Sequence, residues 1–141
     1  MRSFILTLFV VFLSNSGFSQ TADNLVLGKW TTEDSNARIE IYREGNRFSG
    51  KIVWLKEPIQ PDGSPKVDAK NPDPNLRKNP VLGLAILTGL EYKDGEWLNG
   101  KIYAPRDGKS ANCTLSMKND KELHVVVSKS IFSTTKIWKR L

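Results

Sequence analysis

The fold is decided by the stretch Trp97-Leu98-Asn99-Gly100-Lys101-Ile102-Tyr103-Ala104-Pro105-Arg106-Asp107-Gly108-Lys109. Its first part has the composition of one β-strand. Pro105 then fixes φ, and the residues after it tolerate positive φ, which is typical of a tight reversal. The stretch therefore predicts one strand of a hairpin and the turn into the next. Similar hairpin signals lie on both sides of it and indicate a meander in which each strand pairs with its neighbour.

Side chains that alternate in polarity indicate the same kind of sheet earlier in the chain. Ala37, Ile39 and Ile41 fall on one side of a segment whose other side is polar. A period of two with one wet face is typical of an antiparallel sheet. The strand that follows, over residues 47–55, is predicted to place four side chains on one face: Phe48, Gly50, Ile52 and Trp54.

The nearly continuous apolar run Val81–Tyr92 is compatible with a strand or a buried helix, and its glycines, Thr88 and the hairpin signal after it favour a strand. With this segment the chain has about eight strands. Eight antiparallel strands avoid exposed edges most simply by closing. We therefore predict an all-β, up-and-down antiparallel barrel of the lipocalin or streptavidin kind, with an open β-sandwich as the alternative. The predicted strands are Gly28–Thr32, Ala37–Glu44, Arg47–Leu55, Val81–Tyr92, Glu96–Ala104, Lys109–Lys118, Glu122–Lys129 and Phe132–Lys139.

A long connection interrupts the meander between the third and fourth strands. Residues Lys56–Pro80 contain six of the seven prolines and have no periodic apolar face. Loops of this length inside compact domains are uncommon and are often functional. We expect the loop to act either as a lid or as an interaction surface.

The N-terminus has the pattern of a secretory signal peptide. Arg2 precedes the apolar run Phe4–Leu13, and Gly17 and Ser19 are small residues before a possible cleavage point. The apolar run is too short to span a bilayer comfortably. We predict a signal peptide over residues 1–19, a single domain over 20–141, and a periplasmic or secreted protein without stable membrane insertion.

Seven motifs spread over the chain form a recognisable set. They are Gly28-x-Trp30, Ile39-Glu40-Ile41-Tyr42, Gly50-Lys51-Ile52-Val53-Trp54, Asn71-Pro72-Asp73-Pro74-x-Leu76-Arg77, Pro80-x-Leu82-Gly83-Leu84, Trp97-x-x-Gly100-Lys101-Ile102-Tyr103-x-Pro105-x-Asp107-Gly108-Lys109 and Trp138-x-Arg140. Together they resemble the DUF2147 family, exported bacterial proteins of uncharacterised function with a lipocalin-like barrel. The lipocalin-like resemblance implies that Gly28, Trp30 and Arg140 close one barrel end, with the basic side chain packed across the indole. The chain departs from the family pattern at Ala104, at Ala111 and at Ser133-Thr134, so that part of any polar site built on those positions would be missing.

Charge and composition argue against several classes of function. The net charge of +6 (21 basic minus 15 acidic residues) falls to +5 without Arg2, and the basic residues are scattered, so we predict no nucleic-acid partner. The only cysteine, Cys113, is expected to be a buried, inert thiol, and the only histidine, His124, to point outward. We predict no cofactor, no catalytic residue and no metal site. The loop residues Asp62, Asp68, Asn71 and Asp73 carry oxygen ligands that Ca²⁺ accepts, but their spacing does not match an EF-hand loop and the prolines favour a stiff, solvated connector.

The aromatic residues on the predicted strands are the better functional lead. Most of them are expected to fill the core. The functional hypothesis is a non-enzymatic barrel that binds a small hydrophobic or amphipathic ligand in its interior, with four ligand-binding residues: Trp54, Arg77, Trp97 and Tyr103. The alternatives are an envelope interaction module with a filled barrel and, least favoured, a hydrolase that uses the carboxylates of Asp62, Asp68, Asp73 and Asp107.

Overall fold

Eight antiparallel strands form a closed barrel in which each strand pairs with the next along the chain and the last pairs with the first. The computed structural model describes residues 21–141, so the predicted signal peptide lies outside the described residues. The up-and-down barrel is confirmed and the open sandwich is excluded. The strands are β1 (Gly28–Thr31), β2 (Ala37–Glu44), β3 (Arg47–Leu55), β4 (Ala85–Lys93), β5 (Glu96–Ala104), β6 (Lys109–Asn119), β7 (Glu122–Lys129) and β8 (Phe132–Arg140).

The barrel has two different ends. At the end called the closed end, short turns join β2 to β3, β4 to β5 and β6 to β7, and the 3₁₀ helix Ala22–Val26 lies against the core. The opposite end, called the open end, contains the β1–β2 turn, the turns after β5 and β7, and the long loop of residues 56–84. Within residues 21–141, no helix is long and apolar enough to cross a membrane.

Large side chains fill the half of the barrel next to the closed end. Phe48 and Trp97 are buried and meet edge to face, with ring centroids 6.4 Å apart. Leu90 packs over Gly100, where an added Cβ would lie 2.4 Å from the leucine Cδ2 atom. Because glycine leaves room for the leucine at this point, the closed half has the dense packing of an ordinary protein core.

The Arg140 guanidinium joins the end of the chain to its beginning. Its central carbon lies 4.2 Å from the centroid of the fully buried Trp30 ring. Its nitrogens donate hydrogen bonds to the carbonyl oxygens of Leu25, Leu27 and Asp120 at 2.5, 2.9 and 2.6 Å. Gly28 adopts a φ of +123°, and an added Cβ there would lie 3.1 Å from Arg140. The structure thus brings together the three residues assigned to barrel closure.

Two β-bulges change which side chains face inward. Arg38 pairs with Trp54 but Ile39 pairs with Ile52, so Val53 is an extra residue and the alternation along β3 reverses. The predicted inward face of this strand therefore ends at Ile52, and Trp54 points outward.

The fourth strand starts later than predicted, at Ala85 instead of Val81. Leu82 lies in the loop and is exposed. Ile86 is an extra residue in the pairing of β3 with β4, and both Ile86 and Leu87 are buried. The bulge turns two consecutive side chains toward the core, so side chains do not alternate regularly along this strand.

The loop of residues 56–84 packs onto the open end. Val67 forms an isolated β-bridge with Pro80, and a single 3₁₀ turn, Pro74–Leu76, is capped by the Asp73 carboxylate. The backbone of the loop also touches the β5–β6 turn, since an added Cβ on Gly108 would lie 1.9 Å from the carbonyl oxygen of Lys70. This loop is therefore part of the barrel wall.

Replacing Arg140 by alanine is expected to lower the free energy of unfolding by about 2–4 kcal/mol, because it removes the cation–π contact and the charged donors of three carbonyl groups. Urea unfolding measures the loss. Lys139→Ala is the matched control, because Lys139 is the neighbouring cation and its exposed side chain forms a surface ion pair with Glu122. Equal losses in the two variants would contradict the closure role of Arg140.

Gly108→Ala is expected to destabilise the protein for two reasons. A left-handed backbone alone costs an L-residue about 1–2 kcal/mol. The loss of stability should exceed this value, because the new methyl group overlaps the Lys70 carbonyl. The control is Gly63→Ala in the long loop, where φ is +85° and nothing lies within 4 Å of an added Cβ. Thermal unfolding and hydrogen exchange over residues 66–71 report the difference. If both variants lost the same stability, the contact between loop and turn would not be a structural constraint.

Candidate functional site

A cavity of about 720 Å³ occupies the half of the barrel next to the open end. Its inner surface is apolar and comes from five strands, the long loop and the β5–β6 turn. Most of the apolar residues that line this half are aliphatic, whereas the rings of Phe48 and Trp97 pack in the other half. The apolar lining residues are Ala37, Ile39, Ile52, Leu55, Val67, Ala69, Val81, Ile86, Ala104, Pro105 and Trp138.

The Tyr103 hydroxyl connects the cavity wall to the long loop. It donates a hydrogen bond of 2.6 Å to the carboxylate of Asp68, which is only 1% exposed. Asn71 donates a second hydrogen bond of 2.7 Å to the other carboxylate oxygen. Burial, together with this hydrogen bond and the charge of Asp68, raises the pKa of Tyr103 to about 12. The bond holds the segment around Asp68 against β5 beside the cavity.

Charged side chains surround the apolar surface at the cavity mouth. The cations come from the long loop, the β5–β6 turn and β8; the acids come from the β1–β2 turn, the loop and the β5–β6 turn. The result is a polar rim around an apolar interior, which is the usual composition of a small-molecule site. The charged lining residues are Lys56, Lys66, Lys70, Arg106 and Lys136, with Glu33, Asp34, Glu57 and Asp107.

Hydrogen bonds within the protein hold the two acids of the β1–β2 turn. Asp34 accepts from the Thr32 hydroxyl at 2.8 Å and from the Asn36 amide at 3.0 Å, and Glu33 accepts from the backbone amide of Ile137 at 3.1 Å. Burial raises the pKa of Asp34, but these hydrogen bonds and the charge of Arg106 outweigh it, so that the pKa lies below its usual value.

Of the four residues predicted to bind a ligand, the structure places only Tyr103 in the cavity lining. Trp54 is 37% exposed on the outer surface, where the Arg38 guanidinium lies 4.5 Å from its ring centroid, because the bulge at Val53 reverses the strand. Arg77 is exposed and donates to the carbonyl of Asn71 within its own loop.

Trp97, the fourth predicted residue, lies in the filled half of the barrel. Its indole nitrogen donates to the carbonyl of Asp23 in the N-terminal 3₁₀ helix at 3.2 Å, and its ring packs on Tyr92. The sequence places Trp97 on a strand but does not show at which end of the barrel it lies. Trp97 therefore belongs to the core and does not reach the cavity.

Groups that carry catalytic chemistry in other proteins are not gathered at this site. His124 lies on β7, with its Nε2 atom 3.4 Å from the Glu122 carboxylate, and Cys113 is buried with a pKa raised by that burial to about 11. Among residues 21–141, no three His, Cys, Asp or Glu side chains are placed to hold a metal ion. The carboxylates of Asp62 and Asp73 accept hydrogen bonds from their own turns.

Sequence reasoning missed most of the cavity residues. The sequence pattern places Ile39 and Ile52 each on the apolar face of a strand. This alternation is the signal that could have identified them as residues of the cavity wall. The loop lysines Lys66 and Lys70 were treated as scattered surface charge, since no local pattern shows that their loop folds over the barrel mouth. Ala104, which departs from the family pattern, also lines the cavity.

Comparison with known proteins places the chain in a family. Residues 28–140 match the model of a family described as uncharacterised proteins conserved in bacteria, DUF2147. The solved structure of a Helicobacter pylori protein, described as belonging to the lipocalin family, is similar with a TM-score of 0.71 and 24% identity, covering 82% of each chain. No match was found among the curated proteins. The similarity in structure shows the fold, and the chain belongs to the DUF2147 family.

Proposed function

We propose that this protein binds a small hydrophobic or amphipathic molecule in the open half of its barrel. The observation that carries the proposal is the cavity of about 720 Å³ with an apolar interior and a charged rim. This volume lies in the range of small-molecule sites, which are usually apolar with a few polar groups. The alternative of an interaction module with a filled barrel does not account for this space.

Binding rather than catalysis is supported by the chemistry of the lining. The described cavity wall contains neither His124 nor Cys113, and of the four acids considered for hydrolysis only Asp107 lies on it. Asp68 is buried behind the wall and is held by Tyr103 and Asn71. Neither His124 nor Cys113 therefore supplies a nucleophile or a general base at this wall.

An exported location completes the proposal. It rests on the N-terminal sequence, in which a cationic start, an apolar run and small residues precede Gln20. A periplasmic or secreted binding protein needs no cofactor, and its partner is the ligand itself.

A cavity-filling substitution tests the site. Ala104→Trp is expected to weaken binding of phenylnaphthylamine, a neutral fluorescent apolar probe, by about tenfold or more, because the indole takes the ligand's volume. Ala85→Trp is the control, since Ala85 is also an exposed strand-end alanine but lies outside the lining. Fluorescence titration measures both. Unchanged affinity in Ala104→Trp, with the fold intact by circular dichroism, would sink the assignment.

Tyr103→Phe is expected to loosen the loop without unfolding the barrel, because the buried Asp68 carboxylate loses a donor at a cost of about 1–3 kcal/mol. Hydrogen exchange at residues 66–71 should accelerate, while Tyr42→Phe, whose hydroxyl has no hydrogen bond within residues 21–141, should change nothing.

The hydrogen bond from Tyr103 to Asp68 also makes the stability of the folded protein depend on pH. Because folding raises the pKa of Tyr103 from 10.0 to about 12, the folded state holds the proton more tightly. The contribution of this group to stability is fully present below pH 10.0 and is lost as pH rises through about 12. Wild-type protein should lose this increment of stability over that window, and Tyr103→Phe should not. Identical profiles would contradict the role of the hydroxyl.

A further inference from the structure

We infer that the cavity takes an amphipathic anion: one apolar chain in the barrel and a terminal oxyanion, carboxylate or phosphate, held at the mouth by Lys66, Lys70 and Arg106. This inference rests on the proposed function and adds the chemical class of the ligand. It comes from the charged groups of the mouth and from what each of them contacts.

The mouth of the cavity carries five basic side chains. None of them has a carboxylate of residues 21–141 within 4.0 Å. The charge of Arg106 acts on Asp34, but the two side chains are not in ion-pair contact. The ammonium and guanidinium groups at the mouth are therefore open to a direct contact with the oxyanion of a ligand.

The acids of the mouth leave it with a small positive charge. The lining has five basic and four acidic residues, a formal charge of +1. Glu33 and Asp34 are already hydrogen-bonded to the protein, on the turn after β1. Glu57 and Asp107 make no side-chain hydrogen bond within residues 21–141. The loop and the β5–β6 turn together contribute Lys56, Lys66, Lys70 and Arg106 against these two acids.

Backbone contacts hold two of the proposed ligand-binding cations on neighbouring segments. The carbonyl of Lys70 packs directly on Gly108, two residues after Arg106 in the same turn. Lys66 is fixed by a hydrogen bond of 3.0 Å from the Val81 amide to its carbonyl, and Asp68 between the two lysines is tied to Tyr103. These contacts fix the backbone that carries the three cations, so the loop does not have to be ordered before its flexible side chains reach an anion.

The arrangement matches the two parts of such a ligand. Isoleucines and Trp138 form the inner surface, where burial of each methylene contributes to affinity. Guanidinium and ammonium groups then meet the oxyanion at the mouth with charge-assisted hydrogen bonds. A cationic head would meet like charges there, and a neutral head would leave these cations without a partner.

The test compares ligands that share one chain and differ in their head group. Dodecanoate, dodecyl phosphate, dodecanol and dodecyltrimethylammonium, each below its micelle concentration, displace bound phenylnaphthylamine from the full mature chain. We expect the two anions to bind about tenfold more tightly than dodecanol and the cation to bind most weakly, with the advantage of the anions falling as salt is added.

Charge-removing variants locate the head group. The double variant Lys70→Gln, Arg106→Gln should lose the advantage of the anions and keep the affinity for dodecanol. The control is Lys109→Gln, Lys129→Gln, which removes the same charge from exposed residues of the open end outside the cavity lining. An equal loss of anion affinity in the control would mean that overall charge, and not the proposed site, attracts the anion.

The outcomes separate this inference from the function on which it rests. Equal affinity for dodecanol and dodecanoate, or tightest binding of the cation, would overturn the anion site while leaving the binding barrel in place. Failure of all four compounds and of phenylnaphthylamine itself to bind wild-type protein would overturn the proposed function. Preference of dodecanoate over dodecyl phosphate, or the reverse, identifies which oxyanion the mouth fits.

Discussion

The contact between the Arg140 guanidinium and the buried Trp30 ring is the constraint on which the barrel depends. The seam that closes the barrel is its weakest, because β1 and β8 share two paired positions whereas β7 and β8 share eight. Arg140 reinforces this seam by stacking on Trp30 and by binding carbonyl groups of the N-terminal segment and of the β6–β7 turn. The closure therefore depends on side chains as much as on the β-ladder, and it fixes the 3₁₀ helix over the closed end.

The two halves of the barrel differ in how completely side chains fill them. Rings are concentrated near the closed end, and leucines occupy the space that Gly50 and Gly100 leave. Toward the open end most of the apolar residues around the cavity are aliphatic, and Trp138 contributes an indole to the same lining. The long loop covers part of this space and is held by the buried bond between Asp68 and Tyr103. A stable closed half thus supports an open half whose interior is available for a ligand.

Much of the fold could be predicted from the sequence because it is encoded locally. Alternation of side chains and turn residues such as Asp94-Gly95 identified all eight strands, and the end motifs indicated how the barrel closes. The site was predicted less well, for physical reasons. An alternating pattern of side chains does not reveal a β-bulge. The sequence therefore placed Trp54 on the same face as Ile52, whereas the bulge at Val53 turns it outward. The bond from Tyr103 to Asp68 joins residues 35 positions apart, and no local signal predicts that the intervening prolines return the loop to β5.

The central claim is that the open half of the barrel holds a ligand. Native mass spectrometry of the protein purified from its native source tests it most directly, with Ala104→Trp purified in parallel. The account predicts an additional mass on the wild-type chain that is released by denaturation, belongs to an amphipathic small molecule, and is reduced or lost in the variant. A bare polypeptide mass for wild-type protein, unchanged after incubation with single-chain amphiphiles, would contradict it.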